Sequence, residues 1–229
     1  MIRPLACGLG ALAALAPSLD AGAEGASVTY LEARAGLVDA LRDQLVAAAK
    51  VAEAGNAQGR TILVLEERER PGRFAVWVEG EAGLPLDDVP DGLLVAPVRP
   101  RVATPRWSFG SGTIDTDDLV VITHVDVLPN AKREGRRIAG SALAGLAGAD
   151  RATGWIEDAS DNHMTLTGVW PGPGAERADR ERDAVRTARA RLAPLLGSPY
   201  DDRYYEVVWA RSDPPSAGET DQTSTASGG

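Results

Sequence analysis

The sequence predicts an α+β protein in which one chain carries two copies of a β-α-β-β-α-β unit. The segment 93–107 returns as 195–209, since both begin Leu-Leu and carry Pro, Arg and Trp at the same later positions. Strand-like and helix-like patterns also follow one another in the same order in both halves of the chain. The length of 229 residues suits two compact units of roughly 100 residues each.

The second copy has the clearer pattern. Its β-branched segment "LVVITHVDVL" predicts a strand, and the Ala-rich segment after Pro129 is compatible with a helix to about Ala147. The segments "ATGWIED" and "HMTLTGVW" flank the polar turn "ASDN", which predicts a hairpin. The charged segment "AERADRERDAVRTARARLAPLL" is long enough for a five-turn helix, and "RYYEVVWA" predicts the last strand.

The first copy follows the same order. "SVTYLEA" predicts its first strand, and the next segment predicts a helix with Leu37, Leu41, Leu45 and Ala48 on one face. "TILVLEE" and "RFAVWVEG" then predict a hairpin across "RERPG".

The two copies differ after the hairpin. If Trp77 matches Trp170, the first copy is nine residues shorter between this Trp and the Leu-Leu pair. Its remaining residues include Pro85 and Pro90, which oppose a helix interior. We therefore expect the second helix of the first copy to be shortened or absent.

A β-α-β-β-α-β unit forms a four-stranded antiparallel sheet with both helices on one face. The other face needs cover, and a second copy in the same chain can supply it. We expect the repeats, 27–110 and 119–210, to have the same strand order and to pack sheet against sheet.

The two ends of the chain differ from this body. Residues 1–23 outline a secretory signal peptide, with Arg3, an apolar stretch and a small-x-small cleavage site, which predicts a periplasmic or secreted protein. The alternative is an N-terminal helix that packs on the body. Residues 212–229 lack large apolar side chains and predict a disordered tail.

Composition excludes several classes of function. The formal net charge of −9 gives no basic footprint for nucleic acid. No apolar run reaches the roughly 18 to 20 residues of a membrane span. Cleavage of the signal peptide would remove Cys7, and two histidines make a nitrogen-rich metal site improbable. No nucleophile elbow or phosphate loop occurs in the body.

The sequence resembles the antibiotic biosynthesis monooxygenase (ABM) superfamily of dimeric α+β barrels, in its two-domain exported form. The resemblance lies in "VVITHVDVLPNAKREG", "GVW" and "LAPLLGSPYDDRYY" of the second copy and in "AEAGN" and "RPGRFAVW" of the first. It covers most of residues 27–209. It implies that the two ferredoxin-like repeats form an intrachain α+β barrel, a pseudo-dimer.

The resemblance also implies a reaction. Active members oxidise quinols or polycyclic aromatics with O2 and without metal or flavin, and relatives degrade haem. Such chemistry needs an apolar pocket, a base and a group that holds the substrate anion. Family members often carry a His about nine residues after the hairpin Trp; this chain has Asp179 in the second copy and Leu86 in the first, and Glu176 replaces the aromatic residue that precedes this His.

The candidate catalytic residues are His124 and Asp126, which share one face of a strand, with His124 as the base. Tyr30 and Glu32 are their counterparts in the first copy. The alternative for His124 is a hydrogen-bonded core or interface histidine.

The candidate substrate-binding residues are Trp170, Trp155 and Arg203. For Trp170 the alternative is core packing, as it is for Trp77. The alternative for Arg203 is an ion pair with Asp201 or Asp202, or a hydrogen bond to a backbone carbonyl.

Two hypotheses for the function follow, and haem turnover stays open as a third. The chain is either a monooxygenase that needs no cofactor and acts on a small aromatic or quinol, or a catalytically lapsed barrel that binds a small apolar ligand or serves as a structural module. Further self-association stays open. Under both hypotheses any ligand cavity belongs to the second copy, because that copy keeps both helices as a wall.

Overall fold

The structure is a computed structural model that describes residues 25–54, 61–80, 84, 86 and 88–211. The predicted signal peptide and tail lie outside these residues. The described chain contains the strands β1 Ala26–Glu32, β2 Ile62–Glu67, β3 Arg73–Glu79, β4 Pro100–Gly110, β5 Leu119–Asp126, β6 Arg151–Glu157, β7 His163–Trp170 and β8 Asp201–Arg211. Its helices are α1 Val38–Ala54, α2 Lys132–Ala144, α3 Pro173–Arg180 and α4 Asp183–Leu192.

The eight strands form one closed antiparallel barrel in the order β1-β3-β2-β8-β5-β7-β6-β4. Each half contributes the same local order, β4-β1-β3-β2 and β8-β5-β7-β6, which confirms the two-repeat α+β barrel. The halves join where β2 pairs with β8 and where β6 pairs with β4. The last strand of each repeat therefore closes the sheet edge of the other repeat.

Strand register confirms the internal repeat at the level of single residues. Arg101 lies opposite Val28 in the first half, and Arg203 lies opposite Ile122 in the second. In each strand the following Trp comes just after a register shift, where the strand crosses to the other half. The second part of each repeated segment thus lies in the strand that joins the two halves.

The match between Trp77 and Trp170 is wrong. Trp77 pairs with Val28, whereas the residue that pairs with Ile122 is Thr167, three positions before Trp170. Side chains alternate between the two faces of a strand, so an offset of three places them on opposite faces. Trp77 points into the barrel and Trp170 lies under the helices.

The segment after each hairpin also differs between the halves. Among the residues described between β3 and β4, a 3-10 turn, Asp91–Leu93, stands where the second half has helices. The predicted five-turn helix of the second half is two helices, α3 and α4, separated by the extended backbone of Arg182. The Arg182 amide and its Nε atom both donate to Asp179, and these bonds hold the bend.

The core has two layers, because the side chains of each strand point alternately to the two faces of the sheet. One layer fills the barrel. The other lies between the outer face of the barrel and the helices of each half. Within the described ranges, no helix is long and apolar enough to cross a membrane.

Candidate ligand-binding site

A cavity lies in the second half, between the outer face of the barrel and helices α2, α3 and α4. It holds about 670 Å³, part of which is open to solvent. Apolar side chains from β5, β7, α4, and α2 with the turn that follows it make most of its wall, including Val121, Leu143, Leu146, Leu166, Val185 and Leu192. The cavity therefore lies in the copy where it was predicted.

Trp170 forms one wall of the cavity. Its indole lies against Gly168, where an added Cβ would come 2.2 Å from the ring. The indole Nε1 donates to the Asp179 carboxylate at 2.9 Å. A glycine two residues earlier and a buried acceptor together hold this aromatic ring in place.

Asp179 occupies the position to which the sequence comparison assigned the family's His. The residue is 1% exposed. Besides Trp170, it accepts the Gly148 amide at 2.8 Å and Arg182 Nε at 2.7 Å. Asp179 does not line the cavity; its carboxylate anchors the residues around it.

The polar end of the cavity is formed by Thr123, Asp202, Arg189 and Tyr200. The Thr123 hydroxyl donates to Asp202 Oδ1 at 2.7 Å, and Arg189 Nη2 donates to Asp202 Oδ2 at 2.6 Å. The Arg189 guanidinium also lies over the Tyr200 ring, 4.4 Å from its centroid. Burial raises the pKa of Tyr200, so its hydroxyl keeps its proton at neutral pH.

A second ion pair lies in the cavity lining. Arg180 Nη2 and Glu176 Oε1 are 2.8 Å apart, and the Arg180 guanidinium lies 5.3 Å from the centroid of Tyr204. The four charged residues that line the cavity thus form two pairs, and their formal charges balance.

His124 faces the opposite side of the sheet from the cavity, because it follows Thr123 on β5. Its Nε2 is hydrogen bonded to the Tyr30 hydroxyl at 2.7 Å. Burial, followed by the charges of Arg203 and Arg101, lowers the pKa of His124 to about 4. At neutral pH the ring is uncharged, and it lies inside the barrel.

The two repeated arginines flank this Tyr30–His124 pair. Arg101 and Arg203 lie 5.7 and 5.2 Å from the centroid of the Tyr30 ring. Arg203 Nη2 and Asp201 Oδ2 form an ion pair at 2.6 Å, as the ion-pair alternative for Arg203 predicts. Desolvation by burial raises the pKa of Tyr30 well above its ordinary value.

The other predicted site residues also lie away from the cavity. Trp155 faces the barrel, edge-on to Trp77 with ring centroids 5.3 Å apart. Asp126 accepts Asn162 Nδ2 at 2.8 Å and lies 3.1 Å from His163 Nε2. Of the five predicted residues, all within the described part of the chain, Trp170 alone lines the cavity.

No protein-family model matches the sequence, and no curated protein matches it significantly. Solved structures do match. A putative monooxygenase from Fusobacterium nucleatum covers 83% of this chain and 95% of its own at 11% identity, with a TM-score of 0.72. A putative monooxygenase from Lactobacillus acidophilus (82% and 95% covered, 9% identity) has a TM-score of 0.66. An anthrone oxidase-like protein (85% and 95% covered, 16% identity) has a TM-score of 0.61.

The chain therefore shares the α+β barrel fold of these three proteins. At these identities the likeness concerns the fold alone, so substrate and reaction have to be argued from the site. Among the described residues of the barrel, no three His, Asp or Glu side chains converge as metal ligands.

Sequence reasoning missed Thr123, Asp202 and Arg189. Thr123 and Asp202 each adjoin a residue that drew attention, His124 and Arg203, but their side chains lie on the other face of the sheet. The alternation of strand residues was available from the sequence. Which residues of β5 and β8 face the helices, and so line the cavity, was not.

Proposed function

We propose that the protein binds a small, flat and largely apolar molecule, an aromatic compound or a quinol, in the cavity of its second half. The observation that carries this proposal is an apolar cavity with a fixed aromatic wall and one polar end. Ligand sites are typically concave and mostly apolar, with a few placed polar groups. Trp170 supplies a ring on which a flat molecule can stack.

The wall around Trp170 supports binding because it is held in position before any ligand arrives. The indole is bonded to Asp179 and rests on Gly168. A rigid wall reduces the conformational entropy that binding removes.

A titration of a naphthohydroquinone, followed by tryptophan fluorescence, tests the binding proposal. Ala142 lines the cavity, and Ala142→Phe should raise Kd at least about tenfold because the larger ring fills the space. Ala52, a partly buried alanine on α1, is the matched control, and Ala52→Phe should leave Kd unchanged. Equal effects of both variants would contradict the proposal.

Monooxygenation without a cofactor is the second candidate function. The observation that favours it is the fold shared with proteins named as putative monooxygenases. A base must come within hydrogen-bond reach of the proton that it removes. A ligand in the cavity could reach Asp202, whereas His124 faces the barrel interior, where it contacts Tyr30.

Oxygen uptake in the presence of a metal chelator, measured over a panel of hydroquinones, tests this candidate. If His124 is the base, His124→Ala should lower turnover about 100-fold or more, while Tyr30→Phe changes it only a few-fold. If the cavity is the active site, Asp202→Asn should lower turnover instead. No uptake by a protein that still binds the hydroquinones would leave binding as the function.

A further inference from the structure

The polar end of the cavity offers hydrogen-bond acceptors to a ligand. A carboxylate has room for about four donors. Asp202 Oδ1 receives Thr123 at 2.7 Å and a long contact from Arg189 Nη1 at 3.5 Å, while Oδ2 receives Arg189 Nη2 at 2.6 Å. The carboxylate, 15% exposed and part of the cavity lining, therefore keeps acceptor capacity.

The neighbours of Asp202 also favour a ligand that donates a hydrogen bond at this end of the cavity. The Thr123 hydroxyl donates its hydrogen bond to Asp202, so its oxygen remains free to accept one from a ligand. The Arg189 guanidinium is bonded to the same carboxylate and stacked on Tyr200, so its charge is already compensated. The acceptors at this end of the cavity therefore suit a ligand group that donates a hydrogen bond.

The charge balance of the cavity favours a neutral ligand. Arg180 is paired with Glu176 as Arg189 is with Asp202. A carboxylate ligand would bring a third negative charge into a largely apolar space with no uncompensated cation among the lining residues. A neutral molecule avoids this cost.

We propose that the cavity selects neutral phenols and hydroquinones through a ligand hydroxyl that donates a hydrogen bond to Asp202. Aromatic carboxylates and hydroxyl-free arenes are the classes that it discriminates against. The inference rests on the proposed binding function and adds the chemical group that the site recognises.

The chain provides matched controls for this inference. Asp201 precedes Asp202 on β8 but faces the barrel, where it pairs with Arg203. In the first half, Pro100 lies opposite Thr29 as Asp202 lies opposite Thr123, so that half lacks the acceptor. A change in ligand binding that follows substitution of Asp202 but not of Asp201 would therefore come from the cavity.

The experiment compares naphthol, methoxynaphthalene and naphthoate, which share one ring system, by tryptophan fluorescence at neutral pH. The wild-type protein should bind naphthol about tenfold or more tightly than methoxynaphthalene, the scale of a hydrogen bond to a charged acceptor. Naphthoate should bind most weakly. Asp202→Ala should reduce the naphthol preference to about twofold or less, whereas Asp201→Ala should keep it.

Thr123→Val, a near-isosteric change, should weaken the preference without removing it, and this variant keeps the test available if Asp202→Ala does not fold. Equal binding of naphthol and methoxynaphthalene by the wild-type protein would overturn the inference and leave the proposed function standing. Tightest binding of naphthoate would overturn it in favour of an anion site. Binding of none of the three would overturn the proposed function as well.

Discussion

The two halves of the barrel use one strand order to build different helix layers. In the first half a single apolar cluster, which includes Leu41, Leu45 and Phe74, fills the space between α1 and the sheet. In the second half the equivalent layer is divided into two smaller clusters, and the cavity touches residues of both. The first half is the filled one, because Leu86 and Val89 of its shorter connection pack directly into the cluster.

The halves also meet unequally at the centre of the barrel. All neighbouring strands are antiparallel, so the closed order makes β1 and β5 run in the same direction. Tyr30 and His124, at equivalent positions on these strands, touch each other. A symmetric dimer would bring two copies of one residue together here, whereas a tandem chain can pair a phenol with an imidazole. A tandem repeat thus lets the two sides of a symmetric site diverge.

The largest expected effect concerns the filled half. Leu45→Ala should lower the free energy of unfolding by about 4 kcal/mol, because Leu45 is fully buried in a continuous cluster. Leu143→Ala, at the cavity wall, should cost about 2 kcal/mol, since it enlarges an existing space. Urea unfolding measures both values. Equal losses would mean that the helix layers are packed alike.

The next effect concerns His124, the histidine of the Tyr30–His124 pair. Folding lowers the pKa of His124 from 6.5 to about 4, so the unfolded chain takes up a proton first as the pH falls. The stability from the neutral ring is complete above about pH 6.5 and is lost between there and about pH 4, by about 3 kcal/mol.

His124→Gln should flatten the slope of unfolding free energy against pH in this window. His163→Gln, at a side chain that is 41% exposed, is the control and should keep the slope. Loss of stability confined to lower pH would instead point to carboxylates such as Asp201, whose pKa the hydrogen bond from Arg203 lowers.

Gly168→Val tests why the second half stays open, since Val78 holds the equivalent position in the first half. The added side chain would collide with the Trp170 ring. It should lower the free energy of unfolding by about 2 kcal/mol and change the near-UV circular dichroism spectrum. Gly174→Ala in α3, where an added Cβ meets nothing within 4 Å, should leave stability and spectrum nearly unchanged. An unchanged spectrum for Gly168→Val would show that the glycine does not position Trp170.

The smallest expected effect concerns Asp179, whose carboxylate anchors Trp170 at the cavity wall. Asp179→Asn keeps an oxygen acceptor but loses the charge that Arg182 and the Gly148 amide contact. We expect a loss of about 1 kcal/mol and weaker ligand binding, measured by urea unfolding and fluorescence titration. Asp183→Asn, an exposed neighbour paired with Arg186, should change neither. Unchanged binding in Asp179→Asn would show that Trp170 needs no anchor.

The sequence by itself determined the units of this fold. Period-two and helical patterns located the strands and helices, and the repeat of 93–107 as 195–209 predicted the tandem organisation. The strand pairings confirm that Arg101 and Arg203 are equivalent. Pro85 and Pro90 predicted a shortened or absent second helix in the first copy, and the described residues of that connection contain a 3-10 turn, Asp91–Leu93. These features are local, because they depend on spacing within one segment and on backbone chemistry.

Tertiary structure decided which face each side chain occupies. The pattern showed that His124 and Asp126 share a face, but only the pairing of β5 with β7 and β8 places that face inside the barrel and Thr123 against the helices. Trp77 was misassigned to Trp170 for the same reason, since register depends on residues far away in sequence. The contact of Thr123 with Asp202 joins residues 79 positions apart, and no local pattern encodes such a separation.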